Sequence, residues 1–413
     1  MKSTRRSLVW LLGLGAFGLA FSITTTAAYL PPVLADFTDS QTVIAAVLAA
    51  EGLFALTVPL VVGPWSDTFL TPVGRRRPFM LAALFPMGFC LALVAFMPNI
   101  WTTALLVMFF FFAYYVYEPP YRGLYPDLLD ESIFARSQGV QHILRGIAIG
   151  IALVGGGFLF SVWEPAPFLF AALATTLACG AVVRWVREED GGEHRVYKGI
   201  RAYLGISRDI FLHLPQVRWF LFAMACWEGT FAAMRTFVVL YVTVGLGQSL
   251  TVSSIILATV AAGYTLAAIL AGPIGDRVGP ARVVFWSSVV YATGLFIAGF
   301  AQNWQSWYYA IIFPVSVAGG MVMTLSWAIL FRLMPLEQRG AISGIATTTK
   351  GLALLGALLV VGPLIDVSEP HLEATQGYQI LWPFCALLVV ASIPIVARVW
   401  REEERAEPAT EMR

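Results

Sequence analysis

Charge is scarce in this chain. Only 12% of its 413 residues are Asp, Glu, Lys or Arg, about half the share found in a typical soluble domain. The net charge is +1, which excludes the clustered basic surface that a nucleic-acid binder needs. Cysteines are few (Cys90, Cys179, Cys226 and Cys385) and all lie inside apolar runs, so neither a disulfide framework nor a zinc spacing is present. The four histidines, at 142, 194, 213 and 371, are too scattered to form a metal site. No phosphate-binding glycine loop and no Ser/His/Asp arrangement occurs, so no catalytic constellation and no cofactor is expected.

What is abundant is apolar: 58% of residues, with a mean hydropathy of +0.76. A water-soluble fold of this composition would expose large apolar patches, so the solvent must be a bilayer. Runs long enough to cross a hydrocarbon core of about 30 Å occur at 8–30, 41–62, 79–97, 101–125, 139–162, 166–186, 217–243, 250–273, 281–301, 305–333, 341–364 and 378–398. An all-α integral membrane protein of twelve transmembrane helices is expected. The first run follows Lys2, Arg5 and Arg6 as a signal peptide would, but no small-residue cleavage site follows it. It reads as a retained span, with Pro31-Pro32 marking its exit.

Basic residues divide by side. With both termini assigned to the cytoplasm, 22 of the 26 Lys and Arg fall in cytoplasmic segments or at cytoplasmic helix ends, and the other four (Arg122, Arg145, Arg235 and Lys350) fall within spans. The outer loops carry Asp36, Asp39, Glu164, Asp366, Glu369 and Glu373 instead. An even number of spans satisfies the positive-inside rule, and an odd one would scatter cations on both faces. The expected location is the cytoplasmic (plasma) membrane.

The two halves repeat. Gly63-Pro64-Trp65-Ser66-Asp67, followed by Gly74-Arg75-Arg76-Arg77-Pro78, stands between spans 2 and 3. Gly272-Pro273-Ile274-Gly275-Asp276-Arg277 stands between spans 8 and 9, and 276 − 67 = 209 equals 272 − 63. Pro126-Asp127 to Arg136 is mirrored by Pro335, Glu337 and Arg339, and Arg145-Gly146 by Lys350-Gly351. The reading is an N-terminal six-helix bundle over 1–186, a cytoplasmic linker over 187–215, and a C-terminal six-helix bundle over 216–413. Repeated bundles of this kind rock around a site near the bilayer midplane.

These motifs resemble the major facilitator superfamily over essentially the whole chain. The Gly-Arg-Arg-Arg-Pro-Phe run at 74–79 and Pro120-Tyr121-Arg122-Gly123-Leu124 with Asp127 resemble the glycoside–cation symporters, plant sucrose transporters and solute carrier family 45 proteins. The resemblance implies proton-coupled sugar import by alternating access, with a small-molecule sugar, protons and the lipid bilayer as partners. A monomer is the expectation. An export antiporter of drugs or metabolites is the alternative.

Site candidates follow from charges inside spans, each of which needs a partner or a water-filled cavity. They are Glu51 in span 2, Glu118 and Arg122 in span 4, Arg145 in span 5, Glu228 and Arg235 in span 7, and Lys350 in span 11. Glu118 and Arg122 are four apart in the favourable acid-first order, across Pro119 and Pro120, and read either as a substrate or proton site or as a structural ion pair. Tyr117 and Trp227, with Thr24–Thr26, Tyr29, Tyr114 and Trp327, could complete a sugar pocket, although in a chain that is 14% aromatic most rings must serve packing. Asp67, Gly74, Arg75, Arg76, Arg77, Asp276 and Arg277 are the gating candidates. A loop carboxylate can bind backbone N–H groups and arginines in one conformation and release them in the other. The plain alternative is that the arginines anchor topology.

Overall fold

The computed structural model describes residues 2–68, 71–129, 131–188, 208–209, 211–333 and 339–406. Twelve long helices occupy them: α1 (Lys2–Ala35), α2 (Gln41–Thr68), α3 (Arg77–Leu93), α4 (Ile100–Leu128), α5 (Glu131–Val162), α6 (Ala166–Trp185), α7 (Pro215–Leu240), α8 (Leu250–Val278), α9 (Pro280–Ala298), α10 (Tyr309–Leu333), α11 (Arg339–Ser368) and α12 (Leu381–Ala406). No strand occurs among the described residues, as expected where lipid forces each backbone group to bond within its own segment. Eleven of these helices are long and apolar enough to span a membrane. The exception is α7, whose Glu228 and Arg235 lower its hydropathy. The fold is the all-α, twelve-helix membrane architecture expected from the sequence.

Local chemistry sets several boundaries. The Asn99 side chain accepts from the N–H groups of Trp101 and Thr102 and so starts α4, and Ser249 accepts from Val252 N–H to start α8. Gly279, at φ +89°, separates α8 from Pro280 at the start of α9. The expected exit of the first span at Pro31-Pro32 is corrected: α1 continues through both prolines to Ala35. Leu30, Val33 and Leu34 there are fully buried, so packing outweighs the lost backbone donors.

The chain divides into two compact units. One comprises Met1–Asp39 and Leu53–Ile200, the other Ser40–Gly52 and Arg201–Arg413. In the first unit, α1 packs on α5 and α6, and α3 on α4 and α6. In the second, α7 packs on α11 and α12, and α9 on α10 and α12. Each of these four pairings of the first unit thus recurs six helices later. Small residues allow close approach within the first unit. A Cβ on Gly15 would overlap the Tyr121 ring, and one on Gly156 would overlap Tyr29.

Candidate functional site

In the first unit, α4 and α5 bring three of the expected charges to one small cavity. Its lining includes Tyr114, Glu118, Tyr121 and Arg122 from α4 and Gln141 and Arg145 from α5, with Ala16, Leu19 and Ala20 of α1 as the apolar wall. The cavity is about 20 Å³, room for roughly one water-sized group. Arg122 Nη2 lies 2.6 Å from Glu118 Oε1, and its Nε donates to the same oxygen at 2.8 Å. The i,i+4 spacing visible in the sequence therefore forms the pair, and α4 stays helical through Pro119 and Pro120. Arg145 is half-buried on the facing helix. Among the described residues it makes no ion pair or side-chain hydrogen bond.

Tyr114 and Tyr121 line this cavity, whereas Tyr117 serves packing. Tyr117 is fully buried and donates to the Cys179 carbonyl at 2.9 Å. Tyr121 bonds to the Leu12 carbonyl at 2.7 Å and shares a 2.8 Å hydrogen bond with Tyr125. Thr26 donates back to the Ser22 carbonyl, and Tyr29 donates to that of Leu153. The His142 side chain lies outside the described residues.

The second unit holds the other intramembrane charges as two pairs. Glu51, 6% exposed on the first half of α2, accepts from Arg235 Nη2 at 2.5 Å. Glu228 of α7 lies 3.5 Å from Lys350 of α11. Trp227, beside Glu228, is buried edge-on to Phe220, and its indole N–H has no partner among the described residues. These residues share a unit, and among the described residues they form these two ion pairs.

Four of the gating candidates, Gly74 and Arg75 to Arg77, gather where α3 begins. Gly74 adopts φ +111°, a conformation that suits only glycine. The chain then presents the N–H groups of Arg75, Arg76 and Arg77 to the Glu188 carboxylate at 2.7, 3.0 and 2.9 Å. A carboxylate satisfies these orphan donors and complements the positive end of the helix. Asp127, near the end of α4, accepts from Arg76 Nε at 2.6 Å and Arg75 Nη2 at 3.3 Å. Arg77 Nε donates to the Val183 carbonyl. The side chains of Asp67 and Asp276, the acids expected to form the latch, lie outside the described residues, and Arg277 is exposed.

Three acids escaped notice in the sequence. Glu188 and Asp366 stood among ordinary loop charges, and Glu403 in the tail. Glu403 accepts from Ala281 N–H at the start of α9, at 3.4 Å, and lies 3.5 Å from Arg332. Glu188, just past α6, and Glu403, in the last turn of α12, thus cap α3 and α9. Their separation, 403 − 188 = 215, is close to the repeat offset and was the signal available. Asp366, at the end of α11, accepts from Gln41 N, Thr42 N, Thr42 Oγ1 and Ser40 Oγ at 2.7, 2.9, 2.5 and 3.0 Å, so it caps α2 within the second unit.

The Major Facilitator Superfamily family model matches residues 12–357 and again 236–411. The chain is 25% identical over 398 residues to the class C tetracycline resistance protein of Escherichia coli, covering 89% of this chain and 91% of that protein. It is 24% identical over 427 residues to the class G tetracycline resistance protein of Vibrio anguillarum, covering 96% and 98%. The crystal structure of a variant of the nucleoside transporter NupG has the same fold, with a TM-score of 0.78 over 95% of this chain and 99% of that one at 14% identity. A match to nearly the whole chain, two repeated six-helix sets and ion pairs within the spans lead to one assignment: the chain belongs to the Major Facilitator Superfamily and is a secondary transporter, not an enzyme.

Proposed function

We propose that this transporter is a proton-coupled antiporter that exports an organic small molecule across the cytoplasmic membrane by alternating access, as a monomer with both termini in the cytoplasm. The observation that carries the coupling is the Glu118–Arg122 pair on the wall of the α4–α5 cavity. A carboxylate there has two opposed influences. The adjacent guanidinium favours its charged form, and exclusion of water favours its protonated form. A conformational change that alters either one changes its proton affinity, which is the requirement for coupling. The direction of transport rests on the relatives: full-length similarity to two tetracycline resistance proteins favours removal of a compound from the cell. The orientation rests on the Lys and Arg asymmetry.

Proton-coupled sugar import is the second reading. It is favoured by the 74–79 motif and by Tyr114 and Tyr121 at the cavity, since aromatic rings can face the C–H surface of a sugar. Proteoliposomes with an acidic lumen separate the two. An antiporter accumulates tetracycline in that lumen, and the accumulation collapses with a protonophore. A symporter instead concentrates sucrose when the lumen is alkaline. Failure of both compounds to move against their gradients would overturn proton coupling.

A further inference from the structure

Among the described residues, the cavity of the first unit brings together one acid, Glu118, and two cations, Arg122 and Arg145. Glu118 is committed to Arg122 through two contacts to a single carboxylate oxygen. Arg145, on the same cavity, has no acidic partner among the described residues. Its counterpart in the repeat, Lys350 (350 − 145 = 205), does have one, because Glu228 meets it at 3.5 Å. The two halves therefore treat equivalent cations differently. One is neutralised by its own unit, and the other is presented beside a cavity. Gln141, one turn before Arg145 on α5, lines the same space and adds an amide donor. A guanidinium with a neighbouring amide donor is the donor set that recognises a planar anionic oxygen pair. The cavity of about 20 Å³ has room for roughly one oxygen of such a group, so the body of the compound lies outside it. Tyr114 and Tyr121 supply aromatic surface at the cavity.

We infer that Arg145, with Gln141, anchors an anionic oxygen group, a carboxylate or a similarly acidic oxygen, on the transported compound. The inference deepens the proposed transport reading and rests on it, because it assigns a chemical class to the substrate of the same site. A neutral sugar would leave the excess cation without a counter-charge. A carboxylate would complete the alternation of charges around the cavity: Glu118, Arg122, ligand, Arg145.

The probe is 2-naphthoate compared with its neutral isostere 2-naphthamide, both measured by microscale binding to the purified full-length protein in phosphatidylcholine nanodiscs at pH 7. The naphthoate should bind about tenfold more tightly than the amide, the ratio that one charged hydrogen-bonded contact supplies. Arg145→Gln should bring the ratio close to one while amide binding persists, and Arg145→Lys should keep part of the preference. Retained amide binding distinguishes a lost contact from a lost fold. Glu118→Gln should raise the ratio, because it removes a competing carboxylate and releases Arg122. An equal response to the two probes, including no binding of either, overturns the inference, as does a ratio unchanged in Arg145→Gln. A lipid phosphate could satisfy the same cation. Nanodiscs containing phosphatidylglycerol test this, and loss of the naphthoate preference there would assign the site to the headgroup and overturn the substrate assignment. Proton-driven accumulation in proteoliposomes is a separate readout. If it survives while the naphthoate preference is absent, only the anionic class fails and the antiport reading stands.

Discussion

Arg76 lies across Gly123. The guanidinium occupies the space that a Cβ on Gly123 would fill, so α4 lacks a side chain at the position where α3 reaches over it. Arg76 is 6% exposed and donates to Asp127 at 2.6 Å, which ties the start of α3 to the end of α4 inside the first unit. Gly123→Ala must displace Arg76 or move the helix. Overpacking of this kind costs about 1–3 kcal/mol, so thermal unfolding should occur several degrees earlier. With Arg76 proposed as a gating residue, turnover should fall several-fold with substrate affinity nearly unchanged, because Arg76 does not line the cavity. A Gly123→Ala protein that melts and turns over as the wild type does would show that Arg76 relocates without cost.

Glu188 closes the same helix from the other side. Its carboxylate receives three consecutive backbone N–H groups, and a neutral amide cannot match that acceptor set or its charge. Glu188→Gln should destabilise the protein by about 1–2 kcal/mol, the usual range for loss of a helix cap with its charge–dipole contribution. Gly74→Ala should be worse. It combines a disfavoured positive φ with overlap of the new Cβ on the Glu188 carboxylate. Scanning calorimetry of the two variants checks the order, and a milder Gly74→Ala would contradict it.

Asp366 performs the corresponding task for α2 in the second unit. Four donors from Ser40, Gln41 and Thr42 converge on it. Behind this cap the first half of α2 presses on α11: a Cβ on Gly52 would overlap the Leu355 backbone, and one on Gly362 would overlap Ala45. Asp366→Asn should cost about 1–2 kcal/mol, and Thr42→Val less, since the backbone N–H contacts remain. Hydrogen exchange should localise the Asp366→Asn effect to residues 41–45. Uniform acceleration across the protein would mean that Asp366 supports more than this helix start.

Two exposed-side carboxyls set a pH dependence. Burial raises Asp36, just past α1, above its ordinary pKa of 3.8. Burial, with the neighbouring Asp36 charge second, raises Glu164 above 4.5. A carboxyl raised in the folded state holds its proton more tightly there than in the unfolded chain. Stability therefore declines as pH rises from the unfolded value through the raised folded one, and it recovers on acidification. Asp36→Asn should flatten that decline, and Glu164→Gln should flatten the remainder. Melting temperatures between pH 4 and 7 measure it. A steeper decline in Asp36→Asn would reverse the assigned sign.

Much of this arrangement is legible in the sequence, because it depends on short-range spacing. Hydropathy alone locates the helices, since in lipid an apolar run and a helix are nearly the same statement. The repeat is legible in the 209-residue offset and returns as helix pairings displaced by six. Glu118–Arg122 is legible because an i,i+4 pair needs only one helix. Glu51–Arg235 and Glu228–Lys350 join distant segments, so the sequence supplies the charges without their partners. Asp366 and Glu188 are missed for the same reason: an acid near the end of one helix carries no local sign that it caps another more than 100 residues away. The end of α1 is misread because prolines report lost backbone donors and not the burial of Leu30 and Leu34 that outweighs them.

The last prediction concerns Glu118 as the carrier of the coupling proton. It sits on the cavity wall with Arg122 2.6 Å away, so the separation between carboxylate and guanidinium controls how readily it binds a proton. Moving Arg122 away or drying the cavity raises the proton affinity, and restoring either lowers it. Glu118→Gln fixes the neutral form. Gradient-driven accumulation should then vanish, while exchange of labelled for unlabelled substrate continues, since exchange requires no change in protonation. Arg122→Gln should impair both, because it leaves Glu118 without its partner and removes a donor from the cavity. The measurement is uptake into proteoliposomes with and without a pH gradient, set against counterflow in the same vesicles. If Glu118→Gln still concentrates substrate, the proton travels elsewhere. Glu228, only 14% exposed beside Lys350, is then the next carboxylate to neutralise, and Glu51 follows, being locked to Arg235 at 2.5 Å.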